Sequence, residues 1–502
     1  MASSLCWGCF SQLRPAPRTL LQLTRTKPVT AAVAVASFHT TTARYANPVK
    51  KKTTHFTRDT GPKFREARSA GSKKKKGGSK HGSRQTIAEA KALKTRIVLS
   101  NTNALEVPDM QDLTAENMVD SRLRGTVLGL PMDMIDRLRA AEAFKWTQGW
   151  SLFRRPGSLV RKETLELGRT IDAISQGEMK GQTVAKIITG ERGTGKSLHL
   201  LQAMTMALLK QWVVIHVPEG QDLTMGHTSY SPLPDSNPTQ YVQKDATAKL
   251  LTNIANANQP VLSKLHISQD HSAIKVPLLP NMSLHTMATM GAQSPEFAWP
   301  VFQGLWRELT ATAPDANMQG LQPFKARPPM LVSADGLAHW MKDSKYFSVD
   351  YQPIHAHDLV FVNHFLSLLS SSKALPNGGM VLYATSTANS PTVSTFNIAL
   401  KQLAARSAGV DPTSPEFPHL DPYEKLDARV LALFEGAAKD LDITPLGGLT
   451  RDEARGLMEY YARSGVLQEK ITNEYVGEKW TIAGGGVVGE LEKLGRRLRV
   501  LS

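Results

Sequence analysis

Residues 190–197 form a glycine-rich segment that strongly restricts the local fold. The segment is Gly-Glu-Arg-Gly-Thr-Gly-Lys-Ser, which fits the pattern G-x-x-x-x-G-K-[ST]. Its glycines allow the backbone to wrap with N–H groups pointing inward at phosphate oxygens. An apolar, β-rich run at residues 184–188 precedes it and a helical pattern at 197–210 follows. The pattern therefore predicts a phosphate-binding P-loop between a buried strand and a helix.

The polar positions of this loop have defined tasks in phosphate binding. The amine of Lys196 is expected to reach the β- and γ-phosphates, and the hydroxyl of Ser197 to bind Mg²⁺. The helix that begins there adds a dipole that favours an anion. The residues predicted to hold a purine nucleotide are Gly190, Glu191, Arg192, Gly193, Thr194, Gly195, Lys196, Ser197 and Leu198.

A second metal-binding acid is expected at the end of a neighbouring strand. Residues 330–334 form an apolar run that ends at Asp335, and ligands of parallel α/β sheets bind at the carboxyl ends of strands. Ser197 and Asp335 are therefore the predicted metal ligands. The next residue is Gly336, whereas many ATPases of this sheet type have a glutamate there to activate water. Since a missing base costs roughly 10²–10⁴-fold in rate, we expect slow or negligible hydrolysis and assign no catalytic residue.

Strand and helix patterns alternate through the middle of the chain, which favours a parallel α/β sheet. Strands are predicted at residues 184–188, 212–217, 330–334 and 380–385, and residues 218–294 are expected to be irregular apart from a helix at 245–257. The last hundred residues show mainly helical patterns, including a helix at 423–436 and a capping box at 450–453. The predicted fold is a P-loop α/β sheet flanked by helices, with a mainly helical C-terminal domain and a disordered basic N-terminal arm.

The first 85 residues account for the net charge of the chain. They hold 18 of the 60 Lys and Arg and two of the 44 Asp and Glu, so 42 residues of each sign remain in the rest. Residues 1–58 contain no acid, and their arginines are spread among Leu, Ser, Thr and Ala, which is typical of a mitochondrial transit peptide. We predict a transit peptide at residues 1–45 and a location in the mitochondrial matrix; the alternative is a merely disordered basic N-terminus.

The basic composition continues through residues 46–96, where lysine clusters lie among Gly and Ser. Such an arm buries too little apolar surface to fold alone, and its cations can bind nucleic-acid phosphates without reading sequence. The alternative is a solvated tail.

Cysteine and hydropathy exclude several classes of protein. The two cysteines, Cys6 and Cys9, both lie in the predicted transit peptide, so disulfides and cysteine-ligated zinc are not expected in the mature chain. No apolar run approaches the roughly 20 residues that cross a bilayer, so no membrane span is predicted.

An aromatic and basic segment at residues 144–156 adds a family resemblance to these motifs. It is Phe-Lys-Trp-Thr-Gln-Gly-Trp-Ser-Leu-Phe-Arg-Arg-Pro. Together with the P-loop, the strand at 212–218 and residues 332–336, it resembles the death-associated protein 3 family, the P-loop component of the mitochondrial small ribosomal subunit. The likeness covers roughly residues 130–500, and the N-terminal part looks like a fungal member.

The resemblance implies an AAA+-like core with a C-terminal helical lid. We assign residues 97–180 to an N-terminal helical extension, 181–400 to the nucleotide-binding domain and 401–502 to the lid. The implied partners are small-subunit rRNA, neighbouring ribosomal proteins and, through an intersubunit bridge, the large subunit. Family members hold a guanine nucleotide, so GTP or GDP with Mg²⁺ is favoured and ATP is the alternative.

Two classes of function fit these patterns. The favoured one is a structural, nucleotide-binding ribosomal protein that supports mitochondrial translation. The alternative is an active mitochondrial P-loop NTPase, a switch or motor on nucleic acid or protein, although the acid pair expected of a motor is missing. A P-loop kinase has weaker support. Residues His355, His357 and Asp358 resemble a metal cluster, but a polar helix cap is the favoured interpretation.

Overall fold

Strands and helices alternate along the body of the chain. This computed structural model describes residues 96–497 except 180, 235, 273, 280, 316–322, 370–374, 387–390 and 438–440. The strands are β1 (Val127–Gly129), β2 (Gly157–Leu159), β3 (Thr183–Thr189), β4 (Val213–Val217), β5 (Ser231–Pro232), β6 (Tyr241–Val242), β7 (Met330–Asp335), β8 (Asp343–Phe347), β9 (Pro353–His355), β10 (Gly379–Ala384) and β11 (Leu441–Pro445).

The α-helices differ widely in length. They are α1 (Met132–Ala140), α2 (Lys162–Gln176), α3 (Lys196–Leu209), α4 (Lys244–Ala257), α5 (Gln259–Leu262), α6 (Leu284–Gln293), α7 (Ala298–Thr310), α8 (Val360–Leu366), α9 (Ser394–Ser407), α10 (Ala428–Glu435), α11 (Arg451–Arg463), α12 (Asn473–Ile482) and α13 (Val488–Arg497). Short 3₁₀ helices lie at Asn117–Val119, Ser121–Leu123, Gly149–Leu152, Gly220–Leu223, Pro295–Phe297, Leu337–Trp340 and Ala356–Asp358.

Five of the strands form a parallel sheet in the order β11-β3-β10-β7-β4. The P-loop strand β3 is therefore flanked by β11 and β10, and β10 separates it from β7, whose last residue is Asp335. The short strands form separate antiparallel pairs: β1 with β2, β5 with β6, and β8 with β9. The predicted fold class, a P-loop α/β sheet flanked by helices with a mainly helical C-terminal part, is confirmed.

Helices cover both faces of the sheet. Since successive residues of a strand point to opposite faces, neighbouring side chains pack into different clusters. On β3, Ile187 packs into one buried cluster with residues of α4, α6 and α7, whereas Ile188 packs into another with residues of α1, α2 and α3. A third cluster joins α11, α12 and α13. The P-loop helix α3 is therefore enclosed in the second cluster.

Four sheet strands agree with the prediction within one or two residues, but other elements differ. Strand β11 lies in a region predicted to be helical, beyond the assigned domain boundary at residue 400. Helix α6 lies in the segment predicted to be irregular, where Ser283 caps it by accepting a hydrogen bond from the backbone of Thr286. Helix α10 begins at Ala428 rather than near residue 423, because Asp427 caps it there.

Two predictions concern the ends of the chain and membranes. The predicted transit peptide and all but the last residue of the basic arm lie outside the described residues. Within the part of the chain that the structure describes, none of the helices combines the length and the apolar character needed to cross a bilayer.

Candidate functional site

The P-loop joins the end of β3 to the start of α3 through a turn that requires glycine. Gly190, Gly193 and Gly195 have φ angles of 143°, 84° and 98°, values that side chains with a Cβ rarely adopt. At Gly190 an added Cβ would lie 2.3 Å from the carbonyl oxygen of Leu446. The two glycines of the pattern, and the additional Gly193, are therefore required by the backbone of this turn.

The side chain of Lys196 points into the loop. Its ammonium donates hydrogen bonds to the carbonyl oxygens of Gly190, at 2.7 Å, and Glu191, at 2.6 Å. Burial lowers the pKa of Lys196, and the nearby carboxylates of Asp335 and Glu191 oppose that shift. The ammonium is therefore held at the inner side of the loop, where the pattern predicts the phosphates.

The structure brings together the two predicted metal ligands. The hydroxyl of Ser197, in the first turn of α3, donates a hydrogen bond to Oδ2 of Asp335 at 2.5 Å. Asp335 ends β7 and is only 5% exposed. Carboxylate and hydroxyl oxygens are hard ligands of the kind that Mg²⁺ prefers. These two residues therefore fit a magnesium ion bound beside the loop.

The other predicted residues of the loop differ in exposure. The hydroxyl of Thr194 is directed inward and donates to the carbonyl of Glu191 at 3.0 Å. Glu191 and Arg192 are exposed at the tip of the loop. The side chain of Leu198 packs against the buried cluster around α3, so only its backbone can contact a phosphate.

Two residues that sequence reasoning did not assign hold the loop in place. The guanidinium of Arg161 donates to the carbonyl of Thr194 and to that of Gly447, both at 2.9 Å. The backbone N–H of Gly489, in α13, donates to the carbonyl of Gly193 at 2.9 Å. The loop is thus tied to the N-terminal extension and to the C-terminal helices, and no motif in the sequence indicates either contact.

A third unassigned residue, Lys145, lies at Asp335, the carboxylate that is predicted to bind the metal. Its Nζ is 2.5 Å from Oδ2 of Asp335 and 3.4 Å from Oε1 of Glu219. Its sequence signal is the aromatic and basic segment at residues 144–156, which carries the family resemblance although no spacing connects it with the P-loop. The structure therefore gives that segment a position next to the P-loop.

Position 336 has a backbone that disfavours a glutamate. Gly336 has a φ of 90°, in the left-handed region that side chains with a Cβ rarely adopt. A Cβ built on Gly220, which packs against it, would lie 2.7 Å from the carbonyl oxygen of Gly336. The missing water-activating acid therefore coincides with a turn that requires glycine.

The histidine segment at residues 355–358 caps a short helix. The ring Nδ1 of His355 accepts a hydrogen bond from the backbone N–H of His357 at 3.2 Å. Burial, and to a smaller extent the neighbouring His355, lower the pKa of His357 to about 4. No group of three or more His, Cys, Asp or Glu suited to a metal occurs among the described residues. The helix-cap interpretation is confirmed.

Comparison with known proteins identifies related chains. The sequence profile of the family described as mitochondrial ribosomal death-associated protein 3 matches residues 158–494. A Neurospora crassa protein named small ribosomal subunit protein mS29 is 42% identical over 421 residues, covering 84% of this chain and 85% of that protein. Among solved structures, the ADP form of the ORC2 protein of Aeropyrum pernix matches with 11% identity and a TM-score of 0.30, covering 68% of this chain and 62% of that one.

Proposed function

Because the chain belongs to the mitochondrial ribosomal death-associated protein 3 family, we propose that it is a structural component of the mitochondrial small ribosomal subunit. Family membership also confirms the predicted location in the mitochondrial matrix. In this role the chain holds a purine nucleotide at residues 190–198, with GTP or GDP favoured and ATP as the alternative. Ser197 and Asp335 hold the accompanying Mg²⁺.

One observation carries the nucleotide proposal. Ser197 and Asp335 belong to two separate patterns 138 positions apart, and the fold places their oxygens 2.5 Å from each other. Lys196 is held at the inner side of the same loop. A glycine-rich turn that matched the pattern by chance would not be expected to lie beside a buried carboxylate at the end of a strand.

Each group of the site has a task in binding the nucleotide. Lys196 pairs with phosphate oxygens, and the first N–H groups of α3, which lack partners within the helix, donate to them. When bound, Mg²⁺ neutralises phosphate charge. The turn at Gly336 offers no base to activate water, so turnover is slow and the nucleotide acts as a structural ligand. A bound nucleotide stabilises the folded chain by mass action.

The test compares wild type with Lys196→Ala. We expect the variant to bind a fluorescent GDP derivative roughly 10–100-fold more weakly, since a hydrogen bond to a charged group contributes about 1.5–3 kcal/mol. At the same concentration, GDP should raise the melting temperature of the wild type more than that of the variant. Lys210→Ala is the matched control, because Lys210 follows the opposite end of α3 and pairs with Asp172 at 2.7 Å.

Three results would count against parts of this proposal. Unchanged GDP affinity in Lys196→Ala would exclude the loop as the site. A clear preference of the wild type for ADP over GDP would reverse the choice of base. Steady hydrolysis near roughly 1 s⁻¹, at the low end of typical enzyme rates, would instead support an active NTPase.

The proposed partners are small-subunit rRNA, neighbouring ribosomal proteins and the large subunit across an intersubunit bridge. Family membership supports the first two, and the charge of the N-terminal arm supports contact with rRNA in particular. Residues 46–85, which follow the predicted transit peptide, carry 13 bases and two acids, whereas residues 86–502 are neutral overall. Deleting residues 46–85 should weaken association with rRNA and flatten its salt dependence, because fewer cations displace counterions from phosphate. Filter binding at several salt concentrations measures both. A parallel loss of GDP affinity would show that the arm is not a separate module.

A further inference from the structure

Lys145 and Ser197 share one oxygen of the metal-binding carboxylate. Nζ of Lys145 is 2.5 Å from Oδ2 of Asp335, and the hydroxyl of Ser197 donates to that same oxygen at 2.5 Å. The lysine side chain is 20% exposed and the aspartate 5%. An ammonium therefore already neutralises the carboxylate at the position where Mg²⁺ would act.

The surrounding segment fixes the backbone of Lys145. Phe144 and Trp150 are both buried, and their rings meet edge to face with centroids 5.3 Å apart. The backbone N–H of Lys145 donates to Oε1 of Gln148 at 3.0 Å, and the indole N–H of Trp150 donates to the same oxygen. Because Phe144 and Trp150 belong to the buried cluster that encloses α3, Lys145 is held in a fixed position relative to the P-loop.

We propose that Lys145 is a resident counter-cation of the phosphate site, so that nucleoside di- and triphosphates bind with little dependence on Mg²⁺. The inference rests on the proposed nucleotide function. Without a cation nearby, the carboxylate of Asp335 would repel the phosphates, since like charges a few ångströms apart interact strongly in a partly buried site. Either Mg²⁺ or the ammonium of Lys145 removes that repulsion, and the ammonium is supplied by the chain itself.

A purely structural ion pair makes a different prediction. If Lys145 only fastened the segment 144–156 to the sheet, its removal would change GDP affinity by the same factor with and without Mg²⁺. A counter-cation couples to the metal, so its removal must weaken binding mainly when Mg²⁺ is absent. The ratio of the dissociation constants in EDTA and in Mg²⁺ separates the two roles.

The experiment measures GDP dissociation constants for the full chain by titration of a fluorescent GDP derivative, in excess EDTA and in saturating magnesium chloride. For the wild type we expect the two constants to agree within a few-fold. For Lys145→Met the constant in EDTA should rise by about tenfold or more, because the carboxylate of Asp335 loses its directly paired ammonium, while the constant in Mg²⁺ stays close to wild type. Lys210→Met removes a lysine from another Lys–Asp pair, with Asp172, and should leave the ratio unchanged.

A double variant tests the charge argument directly. Adding Asp335→Asn to Lys145→Met removes the uncompensated carboxylate and should restore much of the binding in EDTA, as a coupled pair requires. An EDTA-to-Mg²⁺ ratio in Lys145→Met equal to that of the wild type would overturn the proposal. So would a double variant that binds no better than Lys145→Met in EDTA. If the wild type binds GDP in neither condition, the proposed nucleotide function itself fails, which is a separate outcome.

Discussion

Two buried carboxylates, Glu308 in α7 and Asp335 at the end of β7, have opposite surroundings. Glu308 is fully buried and accepts hydrogen bonds from the backbone N–H groups of Ser268 and Gln269, at 2.8 and 2.7 Å. It also accepts from the Ser268 hydroxyl at 2.8 Å, from the ring of His271 at 2.9 Å and from the guanidinium of Arg327 at 2.6 Å. This carboxylate is saturated by the protein.

Asp335 is surrounded differently, although it is nearly as deeply buried. One of its oxygens takes both a hydroxyl and an ammonium, from Ser197 and Lys145, and the residue lies at the carboxyl edge of the sheet beside the P-loop. Glu308 takes backbone N–H groups as well as side chains on its two oxygens, whereas the partners of Asp335 given above are two side chains on one oxygen. A carboxylate with few donors has room for a metal ion as a further partner, whereas a saturated carboxylate has none. Burial by itself therefore does not separate the two kinds of acid; the number and kind of donors do.

Among neutral, nearly isosteric substitutions of these two acids, the one at Glu308 is expected to lower the free energy of unfolding the most. Glu308→Gln replaces one carboxylate oxygen with an NH₂ group that faces hydrogen-bond donors. At least one of these buried donors therefore loses its acceptor, and Arg327 loses its counter-charge. We expect a loss of about 3–5 kcal/mol in the free energy of unfolding, as for a broken buried ion pair. Denaturant titration measures it. GDP affinity of the folded fraction should stay unchanged, because these residues do not contact the P-loop groups described above.

The pH dependence provides a check on the same variant. Burial alone would raise the pKa of Glu308, but hydrogen bonds from His271, Gln269 and Ser268 outweigh it and lower the pKa below the ordinary value of 4.5. A carboxylate whose pKa is lowered by folding stabilises the fold at pH values above its pKa in the unfolded chain. That contribution is lost as the pH falls through its pKa in the folded chain. The stability difference between wild type and Glu308→Gln should therefore shrink below pH 4.5. A constant difference down to pH 3 would contradict this account.

The parts of the fold and site that the sequence predicts are those encoded locally. The P-loop follows from glycines at fixed spacing, and Asp335 follows from an apolar run that ends in an acid at the expected edge of a parallel sheet. The strands β3, β4, β7 and β10 consist largely of continuous apolar residues, as expected for strands covered on both faces. Each signal lies within a few residues of the element that it predicts.

The sequence does not predict the elements that form only through contacts with distant parts of the chain. Strand β11 is the short run Leu-Asp-Ile-Thr-Pro among helical patterns, and it exists because it pairs with β3. It ends in Pro445 at the edge of the sheet, where a missing backbone N–H is tolerated. Helix α6 has no charged residue that would mark an exposed face, and it lies in a segment whose Pro, Ser and Asn content indicates an irregular chain.

The site is incomplete without residues that only the fold brings near. Lys145 lies 190 positions from Asp335, and Arg161 lies 286 positions from Gly447, to which it donates. Neither separation along the sequence belongs to a motif, because contacts between residues so far apart in the chain depend on tertiary packing. The sequence thus predicted the groups expected to face the phosphate, but not the groups that hold or neutralise them.

A smaller effect on stability is expected at Asp335, the acid that we propose binds the metal. Asp335→Asn weakens its ion pair with Lys145 but keeps an oxygen for Ser197, so we expect the free energy of unfolding, measured without nucleotide, to fall by about 1–2 kcal/mol. Asp442→Asn is the matched surface control, because Asp442 is half exposed and pairs with Lys186 at 3.1 Å; a loss of about 0–1 kcal/mol is expected there. If Asp335→Asn costs as much as Glu308→Gln, then Asp335 is held as a structural acid, and the distinction between the two carboxylates is wrong. If it costs no more than Asp442→Asn while changing the Mg²⁺ dependence of GDP binding, the distinction becomes sharper, because the carboxylate then serves the ligand and contributes little to the fold.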